Sequence, residues 1–165
     1  MELLESRCVL ASYSVVDLGF LNGGFDNEWN DINNAGQIVG RSGASAALWN
    51  PAPAGGGTGS MVDLGRLNGD DVTIAESISA DGKIAGTSVR WATAAGQTFS
   101  SRPFLWTPDA PNGATGSIEA LDVPDSRVKG VNSSGKVVGE MGEFEPVGLG
   151  HAFVWELDEF GNPSL

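Results

Sequence analysis

The sequence is poor in the residues that build disulfides, zinc sites and histidine-dependent active sites. It contains 1 cysteine, Cys8, and 1 histidine, His151. One cysteine excludes an internal disulfide, and so few thiol and imidazole groups disfavour zinc sites and histidine-based catalysis. The Gly-x-Ser-x-Gly elbow of serine hydrolases and the His-Glu-x-x-His helix of zinc hydrolases do not occur in the sequence either. We therefore expect no catalytic residue, no metal site and no cofactor.

Positive charge and long apolar runs are scarce as well. The chain has 9 Lys and Arg against 21 Asp and Glu, a net charge of -12. Such a negative field repels phosphate backbones and anionic lipid head groups, so we expect neither nucleic acid nor a membrane surface as partner. No apolar run approaches the roughly 20 residues that a membrane-spanning helix needs, so we expect no membrane insertion. The 165 residues, 41% of them hydrophobic, instead predict about one folded domain.

Glycine and proline are plentiful, at 24 and 8 residues. They interrupt every stretch that could otherwise keep the spacing of an amphipathic helix. Alternating or β-branched runs recur instead, for example at residues 13–16 and 136–138. The pattern predicts an all-β fold.

Three parts of one pattern repeat along the chain. Residues 32–40 recur at 78–86 and at 131–139, offset by 46 and then 53 residues. Each copy is followed by an apolar run that ends in a tryptophan, which is Trp49, Trp106 or Trp155. An Asp-Leu-Gly element at residues 16–19 recurs at 62–65 and, more loosely, at 120–123. A period near 50 residues is typical of repeated small sheets such as propeller blades.

Each repeat predicts four antiparallel strands. The first ends at Ile32, Ile78 or Val131 and is followed by a tight turn rich in Asn, Ser, Asp and Gly. The second strand closes on a glycine, which permits a bulge or a close approach of another backbone. The tryptophan run is the third strand and the Asp-Leu-Gly element is the fourth. The fold class is therefore all-β, with antiparallel four-stranded repeats in a β-propeller-like arrangement of about three blades.

Three blades are fewer than the four to eight that propellers normally have. A strand expected at residues 13–18 could pair with the last three strands, as propellers close their rings. The alternatives are a fragment of a longer repeat array, an open arc, and self-association of two chains into a ring of about six blades. An array that ends early leaves a blade face uncovered, so we expect self-association through uncovered blade edges.

The set of repeated motifs resembles a known family. Asp-Leu-Gly, Ile-Asn-x-x-Gly-x-Ile-Val-Gly and His-Ala-Phe-x-Trp are similar to the motifs of HAF repeat proteins, whose tripeptide is seen here at His151, Ala152 and Phe153. The resemblance covers roughly residues 13–156, which we take as the repeat domain. It implies a propeller-like, extracellular bacterial protein with no established enzymatic activity.

The N-terminus carries a second resemblance. Leu4, Glu5, Arg7 and Leu10 stand in a segment that resembles the Leu-Glu-x-Arg-x-x-Leu motif of exported planctomycete proteins, with serine where that family often has proline. The resemblance implies that residues 1–12 are a leader or the remnant of an export motif. We therefore expect an extracellular or cell-surface protein, with residues 157–165 as a C-terminal tail.

Aromatic residues divide into repeated and unrepeated ones. The three repeated tryptophans are expected to pack between blades. Trp29 and Trp91 have no counterpart in the other repeats, and Phe25 and Phe99 stand in nearby loops. These four residues are the candidates for a face that binds an unknown carbohydrate or protein ligand. The alternative for each of them is packing within a loop.

Other polar candidates receive structural interpretations. His151 aligns with Arg102 and Ser45, which predicts a polar group at a strand edge. Asp17 and Asp63, repeated in the Asp-Leu-Gly element, are expected to accept hydrogen bonds from nearby backbone donors. The residues Asp31, Asn33 and Gly36 superficially resemble a calcium loop, but the equivalent residues in the other repeats supply few carboxylates, so a hairpin turn is expected.

These observations favour a secreted or cell-surface β-repeat module that binds or adheres and has no catalytic activity. The competing hypothesis is an accessory or degenerate hydrolase domain that acts on polysaccharide. Its acid and base would come from carboxylate pairs in loops: Asp70 with Asp71, Asp26 with Glu28, or Glu143 with Glu145. A third possibility is a truncated remnant without independent function.

Overall fold

A computed structural model describes residues 15–21, 26–53, 58–91, 100–123, 125–142, 150–157 and 163–164. The described residues form twelve strands: β1 (Asn27–Ile32), β2 (Ile38–Ser42), β3 (Ser45–Asn50), β4 (Ser60–Gly65), β5 (Val72–Ile78), β6 (Ile84–Arg90), β7 (Ser100–Pro108), β8 (Gly116–Ala120), β9 (Ser126–Val131), β10 (Val137–Met141), β11 (His151–Leu157) and β12 (Pro163–Ser164). In that part of the chain, no helix is both long enough and apolar enough to span a membrane. The prediction of an all-β fold is confirmed.

The strands form three antiparallel sheets in chain order. Sheet 1 has the order β1-β2-β3-β4, sheet 2 the order β5-β6-β7-β8, and sheet 3 the order β9-β10-β11-β12. Each pair of neighbouring strands is antiparallel. The repeated sequence units therefore correspond to repeated sheets, as the motif spacing predicts.

The turn between the first and second strand of each sheet needs a glycine. Gly36, Gly82 and Gly135 have φ angles of 77°, 89° and 82°, in the left-handed region that side chains disfavour. Each turn residue lies in the Asn-, Ser- and Asp-rich segment that connects the two strands. The predicted hairpin turns are confirmed.

The glycine at the third position of each second strand allows another backbone to come very close. A Cβ atom would collide with the carbonyl oxygen of Glu28 at Gly40, of Ile74 at Gly86, and of Arg127 at Gly139. In each sheet the first strand has a register shift, a β-bulge, beside this glycine. The expected close approach is confirmed, but it lies between paired strands of one sheet rather than between neighbouring sheets. The expectation that the glycine ends the second strand is wrong, since each strand continues to Ser42, Arg90 or Met141.

Aromatic rings of the third strands also lie over glycines. The Phe104 ring covers Gly86 on the neighbouring strand, and the Phe153 ring covers Gly139 in the same way. The Trp106 indole lies over Gly116 at the start of β8. All three rings are buried, and each belongs to the apolar cluster between its own sheet and the preceding one.

The sheets pack face to face, and the core lies between them. One cluster joins Val39 and Leu48 of sheet 1 to Ile84 and Phe104 of sheet 2. A second cluster joins Ala85 of sheet 2 to sheet 3, through the buried apolar residues Val128, Val137, Phe153 and Trp155. The three repeated tryptophans are all buried. Sheet 2 thus presents one face to sheet 1 and the opposite face to sheet 3.

Residues 15–18 do not form the strand that we expected at 13–18. The described part, 15–18, has no strand hydrogen bonding, and residues 13–14 lie outside the described residues. The free edge of β11 is instead paired with β12, at Glu156 with Ser164 and Leu157 with Pro163. A strand needs an available edge, and this one is occupied by residues from within the predicted C-terminal tail. The expected leader, residues 1–12, also lies outside the described residues.

The Asp-Leu-Gly element nevertheless keeps its local structure. The Asp17 Oδ1 accepts a hydrogen bond from Gly19 N at 3.0 Å, and Asp63 Oδ1 accepts one from Gly65 N at 2.8 Å. Both glycines have positive φ angles. The predicted role of the two aspartates, satisfying nearby backbone donors, is confirmed.

Candidate functional site

The two ends of the sheets differ in their connections. At one end, which we call the turn end, the first and second strands are joined by short turns at residues 33–37, 79–83 and 132–136. At the opposite end, which we call the loop end, the connections between second and third strands have very different lengths: residues 43–44, 91–99 and 142–150, although the three sheets have the same strand order. Variable loops on a constant scaffold are a common place for binding sites.

A network of side-chain hydrogen bonds connects the turns at the turn end. Asn33 Nδ2 donates to Gln37 Oε1 at 2.9 Å, to Asn112 Oδ1 at 3.1 Å and to the Ser79 carbonyl at 3.2 Å. Gln37, itself buried, donates to Asn50 Oδ1 at 2.7 Å and to the Asn112 carbonyl at 3.1 Å. Since the partners belong to two sheets, this network joins consecutive repeats and has a structural role.

The residues that superficially resemble a calcium loop belong to this structural network. Asp31 Oδ2 accepts hydrogen bonds from Ser77 Oγ at 3.0 Å and from Ile78 N at 2.9 Å. Asn33 Oδ1 accepts from Ala35 N and Gln37 N within its own turn. Their oxygens already have hydrogen-bond donors, as expected for a hairpin turn. Among the described residues, no group of three or more Asp, Glu, His or Cys side chains is placed to hold a metal ion.

Two arginines converge on a buried carboxylate at the loop end. The Asp70 side chain is 2% exposed and lies in the connection between β4 and β5. It accepts hydrogen bonds from Arg102 Nη2 at 2.7 Å and Arg102 Nε at 3.1 Å, and lies 3.6 Å from Arg90 Nε. Arg90 also donates to the Gly69 carbonyl at 2.7 Å. A buried carboxylate with two cationic partners fixes both guanidinium groups, which remain partly exposed.

Trp91 lies beside this cluster, and its backbone amide is hydrogen-bonded to Asp71. Trp91 N donates to Asp71 Oδ2 at 2.7 Å, and the residue is 51% exposed. Arg66 Nη1 donates to the Asp71 carbonyl at 3.3 Å, which adds a third arginine to the same loop. We call the exposed surface of Arg66, Asp71, Arg90, Trp91 and Arg102 the Trp91 surface.

The Trp91 surface has the chemistry of a recognition site. An indole offers a flat apolar face and an N–H donor, and the arginines offer several N–H donors in fixed planes. Together with the buried Asp70 the surface contains three arginines and two aspartates, so it is locally positive in a chain with a net charge of -12. Because Asp70 and Asp71 fix the backbone and guanidinium groups in advance, a ligand would lose little entropy in ordering them.

A second polar surface follows the bulges of the first strands. The extra residues at these bulges are Asn30, Glu76 and Lys129, which hold one repeat position. Asn30 Nδ2 donates to the Ala75 carbonyl at 3.0 Å, so the bulge of β1 contacts β5 directly. Burial, and the nearby carboxylate of Glu28, raise the pKa of Glu76, although Lys129 acts in the opposite direction. The first strands of the three sheets thus meet along one charged strip.

The structure places the four predicted aromatic residues in different surroundings. Trp91 lies on the loop end as described above. Trp29 lies on β1 and is half-buried, and its counterparts at the same repeat position are Ala75 and Val128. Phe25 and Phe99 lie outside the described residues. Trp91 therefore lies among charged groups, whereas Trp29 lies on a face of sheet 1.

The arginine and aspartate partners of Trp91 were not among the sequence-based candidates. Asp70 lies in the connection between β4 and β5, whereas Arg90 lies at the end of β6 and Arg102 near the start of β7. Their one signal in the sequence is that Asp70, Asp71, Arg90 and Arg102 occur only in the second repeat. Residues that differ from their counterparts in the other repeats are candidates for function, because the shared fold does not require them.

The carboxylate pairs of the hydrolase hypothesis that the structure describes are engaged in other interactions. Asp70 is buried against two arginines, and Asp71 holds the Trp91 backbone. Asp26 and Glu28 are both bridged by Arg41, at 2.9 Å and 3.1 Å. Glu143 and Glu145 lie outside the described residues. His151 is exposed at the first position of β11.

Comparison of the chain with protein-family models, with curated proteins and with solved structures finds no significant match.

Proposed function

We propose that this protein is a binding module without catalytic activity, built from three consecutive blades of a propeller-like arc. Three features support the arc: each sheet is a four-stranded antiparallel meander, each packs face to face with the next, and the first strands of the sheets contact one another. The resemblance of the repeated motifs to HAF repeats agrees with this architecture.

The Trp91 surface is the proposed binding site, and carbohydrate is the proposed ligand class. The observation that carries this proposal is an indole, 51% exposed, whose backbone is fixed by Asp71 next to guanidinium groups fixed by Asp70. The apolar face of a sugar ring can stack on an indole, while its hydroxyl groups accept hydrogen bonds from arginine and donate them to aspartate. A few fixed polar groups around an aromatic ring are typical of small-molecule sites.

Binding is favoured over hydrolysis by the state of the carboxylates. A glycosidase needs one carboxyl group to give up a proton and another to attack or to activate water. At the Trp91 surface, the Asp70 side chain contacts two arginines, and Asp71 accepts a hydrogen bond from the Trp91 backbone amide. Both carboxylates already position other groups of the protein, which suits binding rather than proton transfer.

We also propose an extracellular or cell-surface location. The proposal rests on the resemblance of residues 4–11 to an export motif and of the repeats to HAF proteins. A surface carbohydrate would be accessible to a protein in that location.

The test is a screen of the protein on an array of neutral and uronic-acid oligosaccharides, followed by calorimetric titration of the best ligand. We expect Trp91→Ala to weaken binding about tenfold or more, the usual effect of removing a central aromatic contact. Leu157→Ala, which removes an exposed apolar side chain at the turn end, should bind like the wild type. Equal binding by Trp91→Ala and the wild type would refute the proposed site.

A further inference from the structure

Positions that are buried between the sheets are exposed on the last sheet. Val154 of sheet 3 is 54% exposed, whereas Leu48, at the same repeat position in sheet 1, is 0% exposed. Val138 is 42% exposed, whereas its counterparts Val39 and Ala85 are fully buried. In sheets 1 and 2 these residues are covered by the following sheet. We call the surface of Val138, Glu140 and Val154 the trailing face.

The first sheet has the opposite free face. Ile32 is 62% exposed, whereas Ile78, at the same repeat position in sheet 2, is 6% exposed. Trp29 is half-buried, whereas its counterparts Ala75 and Val128 are buried against the preceding sheet. We call the surface of Trp29, Ile32 and the half-buried Ile38 and Met61 the leading face.

The two free faces are complementary because the repeats are equivalent. Within the chain, a face of the trailing type packs on a face of the leading type twice, between sheets 1 and 2 and between sheets 2 and 3. We propose that the trailing face of one molecule packs on the leading face of a second copy of this chain. This inference goes beyond the proposed function and does not depend on carbohydrate binding.

Hydrogen-bonding groups at the two faces also correspond. In the contact between sheets 2 and 3, Val128 N donates to Thr87 Oγ at 3.1 Å. Glu140 holds the position of Thr87, and Trp29 holds the position of Val128. When the trailing face of one copy packs on the leading face of another, which we call head-to-tail packing, the Glu140 carboxylate of the first copy therefore lies opposite the Trp29 backbone of the second.

Head-to-tail contacts close into a ring when the rotation between copies is right. Each copy contributes three sheets, so two copies place six sheets in one ring, within the four to eight blades of known propellers. Both free faces of each copy are then covered. The proposed assembly is a dimer held by two identical heterologous contacts.

Size-exclusion chromatography with light scattering, from low micromolar to millimolar protein, tests this proposal. We expect a species of twice the 17.0 kDa chain mass that dissociates on dilution. Ile32→Asp, on the leading face, and Val154→Asp, on the trailing face, should each give monomers. Val16→Asp, at an exposed valine outside both faces, should assemble like the wild type. Circular dichroism and thermal melting would show that each variant folds.

Mixing the two variants makes the test specific for head-to-tail packing. The intact trailing face of Ile32→Asp can bind the intact leading face of Val154→Asp through one contact. The mixture should therefore form a one-to-one complex that is weaker than the wild-type dimer, while each variant alone stays monomeric. A monomeric wild type at every concentration, a mixture without a complex, or an assembly disrupted by only one of the two variants would overturn the proposal.

Discussion

Ser77 and Asp31 hold the same position in consecutive repeats, and the Ser77 hydroxyl donates a hydrogen bond to the Asp31 carboxylate at 3.0 Å. The same carboxylate accepts a hydrogen bond from Ile78 N at 2.9 Å. One aspartate therefore satisfies two donors of the next sheet. It is a direct link between the first strands of sheets 1 and 2.

Asp31→Ala should lower the free energy of unfolding by about 1–3 kcal/mol, because the two donors of sheet 2 lose their acceptor in a partly buried place. Urea denaturation measures this change. Asp63→Ala is the matched control, because the Asp63 side chain accepts a local and exposed hydrogen bond from Gly65. Its effect should be clearly smaller. Equal effects of the two substitutions would show that the link between the sheets contributes nothing of its own.

Trp106→Ala should lower the free energy of unfolding by about 3–5 kcal/mol, since the indole is 3% exposed and belongs to the cluster between sheets 1 and 2. Trp91→Ala should change it by no more than about 0.5 kcal/mol, as is usual for an exposed residue away from the core. Chemical denaturation of both variants checks this pair. A larger loss for Trp91 would mean that its ring is structural.

Gly86→Ala should lower the free energy of unfolding by about 1–3 kcal/mol, because the added methyl group would collide with the Ile74 carbonyl and the Phe104 ring. Gly150→Ala is the control. At Gly150 the nearest atom to an added Cβ is the Met141 carbonyl oxygen, at 3.8 Å, which is an ordinary contact. Thermal melting of both variants measures the difference. Equal melting temperatures of the two variants would contradict the account.

Glu76→Gln should flatten part of the pH dependence of stability. Burial raises the pKa of Glu76 in the folded state, so its contribution is fully present below the unfolded pKa and is lost as the pH rises through the folded pKa. The glutamine variant lacks this loss, so its advantage in stability over the wild type should appear above the ordinary glutamate pKa of 4.5 and grow towards neutral pH. Thermal melts from pH 4 to pH 8, with the two proteins side by side, measure the difference. An advantage confined to acidic pH would have the wrong sign.

The strands and turns could be predicted because they are local and repeated. Each turn has a glycine at the place where the backbone needs a positive φ, and each second strand has a glycine beside the bulge of the first strand. The pairing of β11 with β12 was missed, because an edge can be filled by any strand that reaches it. Nothing in residues 13–18 indicates that this edge is already occupied.

The candidate site was predicted only in part. Trp91 was found because it stands alone in the repeat alignment, but its partners Asp70, Arg90 and Arg102 come from separate segments that only the fold brings together. Trp29 was taken as unmatched because its counterparts Ala75 and Val128 have no chemical likeness to it. Equivalent backbone positions can carry unrelated side chains, and only the strand register shows the equivalence.

The most direct test of the account measures binding and turnover in the same experiment. Wild-type protein, Trp91→Ala and Asp71→Asn would each be incubated with an oligosaccharide selected from the array, and both bound ligand and released reducing ends would be quantified. The account predicts binding by the wild type, loss of that binding in Trp91→Ala, and no release of reducing ends by any of the three. Release of reducing ends by the wild type that Asp71→Asn abolishes would contradict it.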